Sequence, residues 1–198
     1  MRWTALVLLA GAMFFAYIFM DILSPLQSLL QTSRGWTPEA FGHYAGSETF
    51  LNVFVFFLIF AGIILDKMGV RFTAVLSGTV MFIGGAINYY AVTDAFAGSA
   101  LDTFFTNHLN LPQAWWNVTP WFEGMPASAK LAACGFMVFG CGAEMAGITV
   151  SRGIVKWFTG HEMALAMGVE MAIARVGVAV VMAGSPLIAS IAPVSVSR

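Results

Sequence analysis

"WTALVLLAGAMFFAYIFM", residues 3–20, holds no charged side chain. A helix needs about 20 predominantly apolar residues to cross roughly 30 Å of hydrocarbon, and this run, extended to Leu23, has that length. Standing behind Met1 and Arg2 it has the outline of a secretory signal, but no polar domain follows it, so it reads as an uncleaved first span. Further apolar stretches follow at about Ala45–Leu65, Thr73–Val92, Ala127–Val150 and Met163–Ile191.

Composition agrees with that reading. Of 198 residues, 59% are apolar and 10% charged, against roughly 25% charged in a soluble domain. Helices are expected because an open β-edge in lipid leaves backbone groups unpaired, and barrel-type alternation is absent. The expected fold is an all-α, multi-pass transmembrane bundle of about five spanning helices over residues 1–198, with one long external segment at about 94–126.

Basic residues orient the bundle. Arg2, Lys67, Arg71, Arg152 and Lys156 fall on one side, and Arg34, Lys130 and Arg198 on the other, beside Glu39, Asp94, Asp102 and Glu123. The positive-inside rule then places the amino terminus in the cytoplasm. The absence of a tail before the first span favours a cell (inner) membrane over an organelle. A net charge of −1 is the near-cancellation of charges segregated to two faces, and no basic patch suits nucleic acid. In "LPQAWWNVTPWFEGMP", residues 111–126, the tryptophans suit the membrane interface, and Asn117-Val-Thr119 matches a glycosylation acceptor that matters only in a eukaryotic secretory setting.

Enzymatic signals are missing. Cys134 and Cys141 lie seven apart on one helix, where no bridge can close. "GHEMA", residues 160–164, is half of a zinc-protease motif without its second histidine. His43, His108 and His161 are scattered, and no nucleophile has a base nearby. The expectation is a protein that is not an enzyme and holds neither metal nor cofactor.

"GIILDKMGVR", residues 62–71, closes the second apolar run. Gly62 permits close approach of another helix, Asp66 suits a hydrogen bond or a cation at a helix end, and Gly69 permits a tight turn. Lys67 and Arg71 keep the loop inside. This pattern resembles the signature loop of the major facilitator superfamily: Gly62, Asp66, Lys67, Gly69 and Arg71 match, and Val70 replaces the first of its closing basic pair. The stretch "VKWFTGHEMALAMGVEMAIARVG", residues 155–177, resembles the entry to helix five in the branch that contains the lysosomal dipeptide uniporter and its bacterial relatives.

That resemblance implies twelve helices in two six-helix halves, with substrate held between the halves near the midplane. It gives Asp66 the role of a latch in one of two alternating states. By the same comparison the chain corresponds to an incomplete amino-terminal half, the remaining carboxy-terminal helices would be its partners along with lipid and solute, and transport by the chain alone is not expected.

"AIARVGVAVVMAG", residues 172–184, carries Arg175 near its centre. An arginine at the middle of a bilayer costs about 2.5–3.5 kcal/mol on translocon scales, so it faces the bundle interior. Gly168, Met171, Ala172, Ala179 and Met182 share its face and leave room for a cavity. Glu144 is its natural counterpart, roughly 12 Å deep from Arg152 where Arg175 is roughly 20 Å from Glu162. Gly140, Gly147 and Ser151 share the face of Glu144. Either the two close the hairpin as an ion pair, or they stand apart and take the ammonium and carboxylate of a zwitterion; the family resemblance points to the second, with a dipeptide as solute.

Polar stripes on the first two spans add Tyr17, Asp21, Ser24 and Ser28, and Tyr44, Glu48 and Asn52, each at helical spacing. Tyr17 and Asn52 are candidate solute contacts, and Asp21 and Glu48 candidate proton or cation sites. Glu170 lies about 140° around the helix from Arg175, off the same face, and its role is open. Gly42-xxx-Gly46 suits close helix contact. Two alternatives stay open: a carrier of organic anions, which needs Arg175 but not Glu144, and a membrane scaffold that transports nothing.

Overall fold

A computed structural model describes residues 2–108, 122 and 124–191, and among these it is helical with no strand. The helices are α1 (Arg2–Asp21), α2 (Gln27–Arg34), α3 (Pro38–Phe54), α4 (Phe57–Val92), α5 (Ala100–Asn107), α6 (Ala127–Trp157) and α7 (His161–Ile191), with a 3₁₀ turn at Ser24–Leu26. The all-α membrane-type fold expected from the sequence is the fold observed. Arg198, Asn117, Thr119, Glu123 and the tryptophans at 115, 116 and 121 lie outside the described residues.

Among the described residues, four helical stretches are long and apolar enough to cross a membrane: Arg2–Arg34, Phe57–Val92, Ala127–Trp157 and His161–Ile191. The difference from five arises at the expected second span. Its helix stops at Phe54, and Phe56 takes a left-handed conformation (φ 54°, ψ 35°). The local run Val53-Phe54-Val55-Phe56-Phe57 is β-branched and aromatic throughout, a composition with low helix propensity. The helix that restarts at Phe57 carries the end of the second span and the whole of the third, turned at Gly69 (φ 81°, ψ 168°), a backbone conformation that favours glycine.

Local chemistry explains the other ends. Pro25 disfavours continuation of the α-helix into the residue before it, α1 gives way to the 3₁₀ turn, and Asp21 and Ser24 no longer share one helix. Thr37 caps α3, its side chain accepting from the Ala40 amide at 3.1 Å, with Pro38 in the first turn and Glu39 facing the positive end of the dipole. Inside the expected external loop, Ser99 caps α5, its side chain accepting from the Asp102 amide at 3.2 Å while the Asp102 carboxylate accepts from the Gly98 amide at 2.9 Å.

The chain divides into two compact units: Met1–Leu26, Phe57–Thr79 and Gly142–Arg198 form the first, and Gln27–Phe56 and Val80–Cys141 the second. In the first, α1 packs along α7, closest at Gly177, where an added β-carbon would stand 2.6 Å from the Phe14 carbonyl oxygen. Arg2 grips Glu162 through two bonds, at 2.8 and 3.0 Å, and lies over the ring of Phe158.

In the second unit α4 and α6 meet at two glycines. A β-carbon at Gly135 would stand 2.9 Å from both the Asn88 nitrogen and the Gly84 oxygen, and one at Gly84 would strike the backbone of Phe139. One at Gly140 would collide with the Glu48 carbonyl. Gly42, expected at a helix contact, has open space around it; the close approaches use glycines of α4 and α6 instead. Cys134 and Cys141 are both free thiols.

Candidate functional site

Helical periodicity brings one face of α6 onto a cavity in the first unit. Glu144, Gly147, Ile148, Ser151, Arg152 and Val155 recur at intervals of three and four, and all line it. Opposite them stand Met13, Ala16, Tyr17 and Met20 of α1, and Leu58, Gly62, Leu65 and Asp66 of α4. Ala143, Glu170 and Met171 complete the wall, around a volume of about 590 Å³. Its lining runs along roughly 18 Å of α6, from Ala143 to Val155, at about 1.5 Å per residue.

At the Arg152 end, Asp66 accepts a 2.6 Å charge-assisted bond from the guanidinium. Both side chains are more than half exposed, and exposed pairs of this kind contribute about 0–1 kcal/mol. Lys67 and Arg71 are exposed on either side of the Gly69 turn. Gly62 has no atom within 4 Å of where a β-carbon would be; it widens the cavity rather than admitting a neighbouring helix.

Glu144 is half-buried and lines the cavity. It forms no ion pair with Arg175. Arg175 is exposed, along with Gly168, Met171, Ala172, Ala179 and Met182 of the same face. Its guanidinium carbon lies 5.5 Å from the centroid of the Tyr17 ring, and Tyr17 in turn lines the cavity. A cation–π contact of this kind gives about 0.5–2 kcal/mol. Arg175 is therefore outside the lining and meets it through the Tyr17 ring.

The acid that the sequence left without a role is Glu170, which is 8% exposed and lines the same cavity. A signal for it exists. Ala166, Glu170, Ala174, Gly177 and Val181 recur at helical spacing and are the buried residues of α7. This stripe of mostly small residues marks the face that packs inward, and Glu170 interrupts it.

Other expected residues lie elsewhere. Asp21 is half-buried at the last residue of α1 and does not line the cavity. Glu48 and Asn52 are on α3, in the second unit, where the Asn52 side-chain amide is buried with neither its nitrogen nor its oxygen hydrogen-bonded. Among the described residues no group of three or more His, Cys, Asp or Glu could hold a metal ion.

No family model, curated protein or solved structure matches the chain.

Proposed function

We propose that the protein is a carrier of the major facilitator type that binds a small zwitterion, with a dipeptide as the leading solute, in the cavity of the first unit and moves it by alternating access across a cell membrane. One observation carries this reading: a cavity of about 590 Å³ lined by Glu144, Glu170 and Tyr17 lies among helices apolar enough to cross a bilayer. Ionisable side chains within such helices are costly, and they mark solute and ion pathways by default.

In this reading Glu144 takes the ammonium of the solute. The Tyr17 phenol, with Arg175 behind its ring, stands toward the carboxylate. The Asp66–Arg152 pair at one end of the cavity is the latch, made in one access state and broken in the other. With the amino terminus cytoplasmic, that latch closes the cytoplasmic side. An organic-anion carrier fits less well, since the only guanidinium in the lining is already held by Asp66.

Solute binding is the direct test. In lipid nanodiscs the protein should bind a labelled neutral dipeptide, and Glu144→Gln should weaken that binding by about tenfold, the loss of one charge-assisted hydrogen bond or roughly 1.4 kcal/mol. Tyr17→Ala and Arg175→Ala should weaken it as well. Binding undiminished in all three variants removes the cavity as the solute site.

A further inference from the structure

The charges facing the cavity do not balance. Asp66, Glu144, Glu170 and Arg152 line it, and the one cation among them is committed to Asp66 at 2.6 Å. Arg175 contributes to the ring of Tyr17 and not to the lining. Two carboxylates remain, one from α6 and one from α7, and neither has an ion-pair or hydrogen-bond partner among the described residues. Glu170 is more than nine-tenths buried.

A buried carboxylate without a counter-charge is costly in its ionised form, and a ligand that brings the opposite charge relieves that cost. A primary ammonium has three N–H donors directed apart, enough to be shared between acids on two helices. A carboxylate offered to this lining meets the Tyr17 phenol, the Ser151 hydroxyl and the remaining N–H groups of Arg152, whose charge is already countered by Asp66. The lining also includes Met13, Met20 and Met171, flexible and polarizable side chains that adapt to varied shapes.

We propose that Glu170 and Glu144 grip the ammonium end of the solute together, so that the cavity selects primary amines and does not require a carboxylate. The proposal rests on the cavity being the solute site. It adds to that reading a second ligand group and a class of solute, the amine without an acid end.

Three probes on the unaltered protein in nanodiscs decide it: alanylalanine, its carboxy-terminal amide, which lacks the carboxylate, and N-acetyl-alanylalanine, which lacks the ammonium. The amide should bind within about threefold of the parent dipeptide, and the acetylated compound at least about thirtyfold more weakly, since tenfold corresponds to roughly 1.4 kcal/mol. Glu170→Gln should weaken both ammonium-bearing probes by about tenfold, and Glu170→Asp, which keeps the charge on a shorter arm, should recover part of that loss.

Equal binding of the acetylated and parent dipeptides overturns the proposal, as does a folded Glu170→Gln variant with unaltered affinities, and both results leave the solute-site reading in place. Failure of all three probes to bind removes the solute-site reading itself. Should Glu170→Gln not fold, the three-probe comparison on the unaltered protein still decides.

Discussion

The two units bury polar groups in opposite ways. In the second, where the Asn52 amide is left unbonded, other polar side chains of the helix faces find partners within the protein. Asn88 donates to the Tyr44 hydroxyl at 2.8 Å, Trp36 to Ser128 at 3.0 Å and Ser47 to the Ala133 carbonyl at 3.1 Å. The buried Lys130 ammonium donates to the carbonyls of Phe105 and His108, at the last turn of α5, at 3.0 and 3.3 Å. In the first unit, Glu144, Glu170 and Tyr17 face a cavity instead. Similar polar residues in similarly apolar helices are thus glue in one place and lining in the other. What separates them is whether helices approach closely at the polar groups themselves: glycine sets that approach at Gly84, Gly135 and Gly140 in the second unit, whereas in the first the tight glycine, Gly177, lies outside the cavity lining.

The sharpest way to break the comparison is therefore to substitute glycines. Gly84→Ala and Gly140→Ala each place a methyl group against the backbone of a neighbouring helix, which cannot yield as a side-chain tip can. Each should cost about 1–3 kcal/mol, the usual range for overpacking a tight interface. Gly62→Ala in the first unit meets open space and should gain a few tenths of a kcal/mol up to about 1 kcal/mol from helix propensity. Unfolding by titration with a denaturing detergent, followed by circular dichroism, measures all three. Equal losses at Gly62 and Gly140 would mean that the units do not differ in packing as described.

The next effect in size concerns the bonded polar groups. Tyr44 stacks on Phe136, with ring centroids 4.7 Å apart and planes 12° from parallel, and its hydroxyl accepts from Asn88. Tyr44→Phe keeps the stack and leaves the Asn88 amide short of an acceptor, so it should destabilise by about 1–2 kcal/mol, within the range for an unsatisfied buried donor. Glu144→Gln removes no bond within the protein and should leave the unfolding midpoint within about 0.5 kcal/mol of the parent, as for substitutions that break no network. A large loss for Glu144→Gln would identify it as glue and erase the contrast between the units.

Much of this was legible in the sequence, and the illegible part has a physical cause. The apolar runs gave the helices, because hydrocarbon thickness fixes their length. The stripe of Glu144, Gly147 and Ser151 gave the lining face of α6, because small and polar residues at helical spacing have few other uses in an apolar segment. Rotation of α7 was harder. The spacing of Glu170 and Arg175 separates them by about 140° but does not say which one turns inward. That choice belongs to α1, whose Phe14 lies against Gly177 and draws the face of Ala166, Glu170 and Ala174 inward. The break at Phe56 was illegible for a different reason: mean apolarity there is high while helix propensity is low, and the length criterion reads only the first. Asp66, by contrast, was read from its position at the end of a span, where a partner such as Arg152 comes within reach.

The smallest expected effect is on that last pair. Both side chains are largely exposed, with Asp66 at 64% and Arg152 at 57%, so solvent screens their attraction and Asp66→Asn should cost about 0–1 kcal/mol of stability. The cost should shrink further as the screening length falls from about 10 Å at 0.1 M salt to about 3 Å at 1 M. A latch, however, acts through the balance between two states rather than through the stability of either. An equilibrium between access states close to even is shifted severalfold by 1 kcal/mol, since 1.4 kcal/mol is tenfold. Cysteine labelling at Ser151, beside the pair in the cavity wall, reads that balance directly. Asp66→Asn should raise the labelling rate severalfold from the Arg152 end while the unfolding midpoint barely moves. An unchanged rate would make the pair a surface contact and nothing more.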